Sequence, residues 1–216
     1  MRRLLLSTLL LLAAACVRRP ATARPAAFPV VDPLPAVALP AEAAPAASSP
    51  RVREADALLL RARALMVPVA GVRPDQLRDT FDERRSGGRT HRAIDILAPR
   101  GTPVVSADSG TVYRIRRNSL GGLVVYALDP TGRLVYYYAH LDRFAEGLAE
   151  GMPLAKGDPI GYVGTTGNAP RGTPHLHFQV MRLDDPKRYW DGVPLDSRPF
   201  FAHDGRPNVP DRQAAR

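Results

Sequence analysis

The stretch Gly172–Val180, GTPHLHFQV, decides how this chain is read. From His175 onward polar and apolar residues alternate, which is the pattern of a half-buried β-strand. Side chains on a strand alternate between faces, so His175 and His177 project together while Leu176 and Phe178 turn to the opposite side. Two imidazoles on one face are either a solvated polar surface or part of a site. An H-x-H pair alone does not separate those readings; the rest of the chain does.

Similar short runs recur upstream: TPVVSA, GTVYRIRR, GLVVYALD, RLVYYYAHL and PIGYVG, separated by Gly, Pro, Asn and Asp. They predict a mostly β domain over residues 67–200, a single antiparallel sheet or sandwich-like arrangement joined by hairpins. No helical pattern of useful length lies between the runs, which excludes a doubly wound α/β fold. Residues 51–66, RVREADALLLRARALM, predict one amphipathic helix before the domain. Residues 17–50 are rich in Ala and Pro and read as a disordered tether. Residues 201–216 are polar and read as a loose tail, and His203 within them has no expected role.

The first sixteen residues, MRRLLLSTLLLLAAAC, have a charged start, a short apolar core and small residues before Cys16, the pattern of a secretory signal peptide. The apolar run is too short for a membrane span. Leu12-Ala-Ala-Ala-Cys16 resembles the bacterial lipobox, with Ala13 where a leucine is usual, so Cys16 is expected to carry a lipid anchor. Val17 rather than Asp after that cysteine favours outer-membrane sorting. The expected location is therefore exported, periplasmic and lipid-anchored.

The chain has 216 residues, 30 basic against 21 acidic, and a formal net charge of +9. A basic balance suits nucleic acid, an anionic membrane or an anionic polymer. Export argues against nucleic acid. The single cysteine excludes an internal disulfide framework and any multi-cysteine zinc site.

Four of the five histidines fall inside the β domain, each in a distinctive context. His91 and Asp95 stand four apart in GRTHRAIDI, where the flanking Ile94 and Ile96 suggest that Asp95 sits on a strand. His140 ends the aromatic run YYYAHL. His175 and His177 form the pair already described. Several imidazoles and a carboxylate are the donors a zinc ion takes, and a catalytic zinc keeps one position for water. Alternation places Tyr138 on the face of His140, as packing, platform or hydrogen-bond donor. GTTGNAPRG lacks the ending of a phosphate loop and no helix follows it; it reads as a loop that walls a groove. GTPVVSADSGTV has the look of a carrier-domain hairpin, but no modifiable lysine stands at a turn there.

H-x-x-x-D, then Y-A-H-L, then H-L-H-F, in this order within one β domain, resembles the lysostaphin-type (LytM-type) zinc endopeptidases that act on peptidoglycan. The likeness covers roughly residues 70–185 and extends to HRAIDILAPRGTPVVSADSGTV and GDPIGYVGTTGNAPRGTPHLHFQV. It implies a β domain with a substrate groove and a bound Zn²⁺. It implies His91, Asp95 and His177 as metal ligands and His140 and His175 as catalytic residues. All five positions are filled, whereas family members that serve only as amidase activators have typically lost some. The expected function is a zinc metalloendopeptidase cutting peptide cross-links of peptidoglycan, with D-alanyl–diaminopimelate the expected bond. Which histidine takes the proton from water stays open. The competing classes are a catalytically silent peptidoglycan-binding module that activates another hydrolase and a structural tether between membrane and wall. A regulatory protein partner fits either the enzyme or the module.

Overall fold

The computed structural model describes residues 53–202. The expectations for the signal peptide, Cys16, the tether and His203 lie outside the described residues.

Among the described residues one α-helix precedes the sheet, α1 at Glu54–Arg63. It is shorter than the predicted 51–66. Glu54 and Asp56 in its first turn and Arg61 and Arg63 in its last complement the helix dipole. It stops at Ala64, which turns left-handed (φ 45°), and Lys156 Nζ donates to the Arg63 and Ala64 carbonyls at 2.7 Å each, meeting acceptors that a helix end leaves open. The helix packs on the domain rather than standing free. Leu60 and Leu65 are fully buried in the main core, and the buried Asp56 pairs with Arg182 Nε at 3.1 Å. Leu58, by contrast, is 60% exposed, so the apolar side of α1 is narrower than LLL suggests.

Nine strands follow: β1 Ile94–Leu97, β2 Pro103–Val105, β3 Gly110–Asn118, β4 Gly122–Leu128, β5 Leu134–Phe144, β6 Pro153–Leu154, β7 Pro159–Val163, β8 His175–Arg182 and β9 Val193–Leu195. They form one curled antiparallel sheet in the order β1-β8-β5-β4-β3-β6, with β7 pairing β5 and β2, and β9 pairing β8. The mostly β, single-sheet expectation holds.

The residues that point to one side of β8 and β5, namely Leu176, Phe178, Val180, Tyr136 and Tyr138, join Ile94, Ile96, Leu60 and Leu65 in that core. The helix is thus on the face opposite the histidines. The domain also runs past its predicted end. Phe201, expected in the tail, is buried in the core and bridges Leu65, because the aromatic pair Phe200–Phe201 at the end of the turn Arg198–Phe200 closes over the start of the domain.

β5 changes partner midway. Leu134–Ala139 pair β8, and Leu141–Phe144 pair β7. The pivot is His140, which has φ 61°. The register against β4 shifts there: between the pairs Tyr138–Val125 and Leu141–Leu123, the two residues Ala139 and His140 face the single Val124. This extra residue is a β-bulge, which bends a strand and re-aims its side chains. The sheet parts beside His140, and the site lies in that notch.

Candidate metal centre and active site

His91 arrives from a hairpin in which Arg84 bridges Thr90 and the His91 N–H donates to the Glu83 carbonyl at 2.9 Å. Arg92 then takes a left-handed conformation (φ 56°), uncommon for a side-chain-bearing residue. Three contacts hold it there: its N–H on Phe81 O (2.7 Å), its guanidinium on Asp82 (3.1 Å) and its carbonyl under Gln179 Nε2 (2.9 Å). The turn brings His91 back over β1, where Asp95 pairs with His177 across the sheet.

The result is a tight triangle. His91 Nε2 lies 2.9 Å from Asp95 Oδ1 and 2.9 Å from His177 Nδ1, and His177 Nδ1 lies 3.1 Å from Asp95 Oδ1. Burial pushes the Asp95 carboxyl up, but the His177 and His91 rings, which hydrogen-bond to and attract the carboxylate when protonated, outweigh it and hold it well below the usual carboxylate range. Burial likewise pushes the His177 imidazole down, against the pull of Asp95.

Two further rings stand beside the triangle. His140 and His175 meet edge to face at 4.9 Å between centroids, and His140 lies 5.7 Å from His177. His175 Nε2 is 3.8 Å from Asp95 Oδ1. The structure therefore brings all five predicted residues into one cluster. His140 enters it through the bulge and not through alternation. Tyr138 does not: it faces the core, fully buried, and its hydroxyl accepts from the Ala107 N–H at 2.9 Å. The bulge breaks the two-residue period between Tyr138 and His140, so the face expected for Tyr138 is corrected. Tyr137 is the tyrosine beside the site, 5.9 Å from the His177 ring.

Backbone carbonyls set the ring tautomers. His91 Nδ1 donates to Thr80 O (2.8 Å), His140 Nδ1 to Thr166 O (2.8 Å) and His175 Nδ1 to Thr173 O (2.9 Å). A carbonyl only accepts, so each Nδ1 carries the hydrogen and each neutral ring presents a bare Nε2. Such outer partners orient metal-binding and catalytic histidines. Thr166 is held in place by close backbone approach: a Cβ on Gly122 would sit 2.4 Å from the Gly167 nitrogen, and one on Gly167 would sit 2.3 Å from the Gly122 nitrogen. The loop GTTGNAPRG, expected to wall a groove, carries Thr166 and so aims His140, and Thr173 just after it aims His175.

The donors fit a zinc ion. His91 Nε2 and Asp95 Oδ1 meet lone pair to lone pair at 2.9 Å, which requires a cation or an extra proton between them. Tetrahedral zinc with bonds of about 2.0–2.1 Å separates its ligand atoms by about 3.3 Å, close to all three edges of the triangle. Among the described residues this is the one group of three metal-capable side chains.

Sequence reasoning missed three contributors. Thr80 holds both early members of the triangle, its carbonyl on His91 and its hydroxyl accepting the Asp95 N–H at 3.1 Å. Thr166 aims His140. Arg85 Nη2 donates to Asp95 Oδ2 at 2.6 Å. No motif marks any of them, since Thr80 and Thr166 reach the histidines through main-chain carbonyls and Arg85 stands in a polar turn.

A bulged antiparallel sheet that gathers two histidines and an aspartate beside two further histidines is the arrangement that the lysostaphin-type resemblance implies. Residues 89–194 match peptidase family M23, and the domain belongs to that family. The chain is 35% identical over 124 residues to the L-Ala–D-Glu endopeptidase of Bacillus subtilis, covering 54% of this chain and 37% of that protein. It is 38% identical over 93 residues to the DD-carboxypeptidase/endopeptidase Mpg of Neisseria meningitidis, covering 43% of this chain and 20% of that protein. It thus spans well under half the length of either relative. Among solved structures, a zinc-containing peptidase from Vibrio cholerae superimposes with a TM-score of 0.51 at 26% identity, covering 65% of this chain and 41% of that one.

Proposed function

We propose that this protein is a zinc-dependent endopeptidase that hydrolyses peptide cross-links of peptidoglycan. The observation that carries the reading is the convergence of His91, Asp95 and His177 at about 3 Å, with His140 and His175 alongside. His91 Nε2, Asp95 Oδ1 and His177 Nδ1 would hold the ion. When bound, zinc supplies a water of lowered pKa and polarises the scissile carbonyl.

The chain's own residues supply proton handling. In the neutral state His140 and His175 have no Nε2 hydrogen, because their Nδ1 hydrogens are committed to Thr166 and Thr173. Each ring must accept a proton before it can donate one. That suits a base that takes a proton from water and an acid that returns it to the leaving amine. Burial pushes His140 down to about 4, against the Thr166 hydrogen bond that favours its charged form. It therefore enters the reaction neutral at any pH above that value. Tyr137 and Gln179 sit opposite one another on the same face, and Tyr137 lies 5.9 Å from the His177 ring.

The bond we assign is D-alanyl–diaminopimelate. The two curated relatives carry names for different stem-peptide bonds, so the bond is what the first experiment must read. Purified peptidoglycan is digested with the protein, with and without a chelator, and the fragments are weighed by mass spectrometry. Chelator-sensitive loss of cross-linked dimers supports the proposal; release of stems cut after L-alanine moves the bond; no release from folded, zinc-bearing protein favours a binding module. Export and lipid anchoring at Cys16, with outer-membrane sorting, belong to the same proposal. Labelling by a palmitate analogue in wild type and not in Cys16→Ser supports the anchor, and equal labelling rejects it.

A further inference from the structure

Asp95 offers two oxygens, and only one faces the histidines. Oδ1 is the atom within 3.1 Å of His91 Nε2 and His177 Nδ1. Oδ2 is held from the other side by Arg85 Nη2 at 2.6 Å. Arg85 reaches Asp95 from the hairpin that delivers His91: its N–H donates to Arg89 O at 2.8 Å, and Arg84 bridges Thr90 across the turn. The same Nη2 lies 3.1 Å from Glu83 Oε2, and Arg85 Nε is buried without a hydrogen-bond partner. One short segment therefore positions a ligand, His91, and grips the carboxylate of another.

We propose that Arg85 is a positioning residue for the metal centre, holding Asp95 as a one-oxygen ligand. The inference rests on the zinc reading above. A carboxylate binds a cation through one oxygen or both. An ion bound through one oxygen of Asp95 and two imidazoles keeps a four-coordinate site with room for water. With Oδ2 occupied by the guanidinium, only Oδ1 is available. Arg85 also withdraws charge from the carboxylate, which leaves the metal more positive than an unpaired aspartate would.

The test uses the full chain and reads metal, not only turnover. Wild type, Arg85→Met and Arg85→Lys are stripped of metal, checked for equal melting temperature, and titrated with zinc against a chromogenic chelator. Each is then loaded with cobalt(II), whose visible absorption is strong in four-coordinate and weak in higher-coordinate sites. Arg85→Met is expected to weaken zinc binding by about 10–100-fold, the usual cost of losing an outer partner, and to lower the cobalt absorption. Arg85→Lys, which keeps a cation near Oδ2, is expected to restore most of both. If Arg85→Met unfolds, Arg85→Gln takes its place. Wild-type affinity and an unchanged spectrum in the methionine or glutamine variant overturn the inference. Equal weakening in the lysine and methionine variants, with lowered melting temperatures, assigns Arg85 to stability alone and overturns it too. A wild type that binds no zinc overturns both this inference and the reading beneath it.

Discussion

Leu176 and Phe178 lie on one face of β8 with no exposed surface, packed among Tyr136, Tyr138, Leu60 and Leu65. His175 and His177, which alternate with them along the same strand, lie on the other face against Asp95, His140 and His91. The two faces are specified differently. The apolar face needs only residues of suitable volume, and its stability is spread over many contacts. The polar face is specified pair by pair. His91, His140 and His175 each depend on one carbonyl, from Thr80, Thr166 and Thr173. Every one of those carbonyls lies outside the strands. The sheet sets the spacing of the rings, and the loops set which nitrogen of each carries the hydrogen.

If the faces are independent, a change on one should leave the other's property alone. His175→Ala is expected to cost on the order of 10²–10⁴-fold in turnover, the range for a general acid or base. Zinc content should match wild type, and the melting temperature should stay within a few degrees. Comparable turnover would remove His175 from the chemistry. Phe178→Ala sits one pleat away, and truncating a fully buried phenylalanine costs about 3–5 kcal/mol. Urea unfolding should show that loss, while specific activity per folded molecule stays near wild type. Selective loss of activity with unchanged stability would show that the core face tunes the site and break the comparison.

Acid sharpens it further. The ordinary histidine value is near 6.5, and burial, partly offset by the Thr166 carbonyl, brings His140 to about 4. Below pH 6.5 the unfolded chain therefore binds a proton that the folded chain refuses. The contribution is fully present above pH 6.5 and is lost as pH falls towards 4, on the order of 3 kcal/mol if the whole shift is expressed. His177 acts with the same sign. In metal-free protein, His140→Gln should flatten, without abolishing, the fall in stability between pH 6.5 and 4. A parallel fall in both proteins would show that the polar face bears no such cost at His140.

Much of this was legible. Alternation in HLHFQV placed both β8 faces, and Ile94 and Ile96 around Asp95 marked β1. The order of the three histidine motifs carried the family. What was not legible depends on backbone outside the strands. Thr80 and Thr166 act through carbonyls, which every residue has. Arg85 stands in ERRSGG, a run that reads as a solvated turn. Phe201 reads as tail because polar residues follow it, although two adjacent phenylalanines at the end of a domain are themselves a sign of core.

Tyr138 is where the period failed, and it gives the smallest expected effect. Counting by two from Tyr138 to His140 puts both on one face, and that would make the phenol a candidate donor to the reaction. The left-handed residue at His140 inserts one position against β4 and turns the face over. Tyr138 ends among core side chains, with its hydroxyl accepting from the Ala107 N–H. Tyr138→Phe keeps the ring and removes that acceptor. A buried amide left unpaired costs about 1–3 kcal/mol, so the variant should unfold at lower urea with an unchanged slope. Turnover should remain within about twofold, since the histidine cluster and the phenol are on opposite sides of the sheet. A large loss of turnover at constant stability would instead place the hydroxyl in the site, and with it deny that the bulge at His140 separates the two faces.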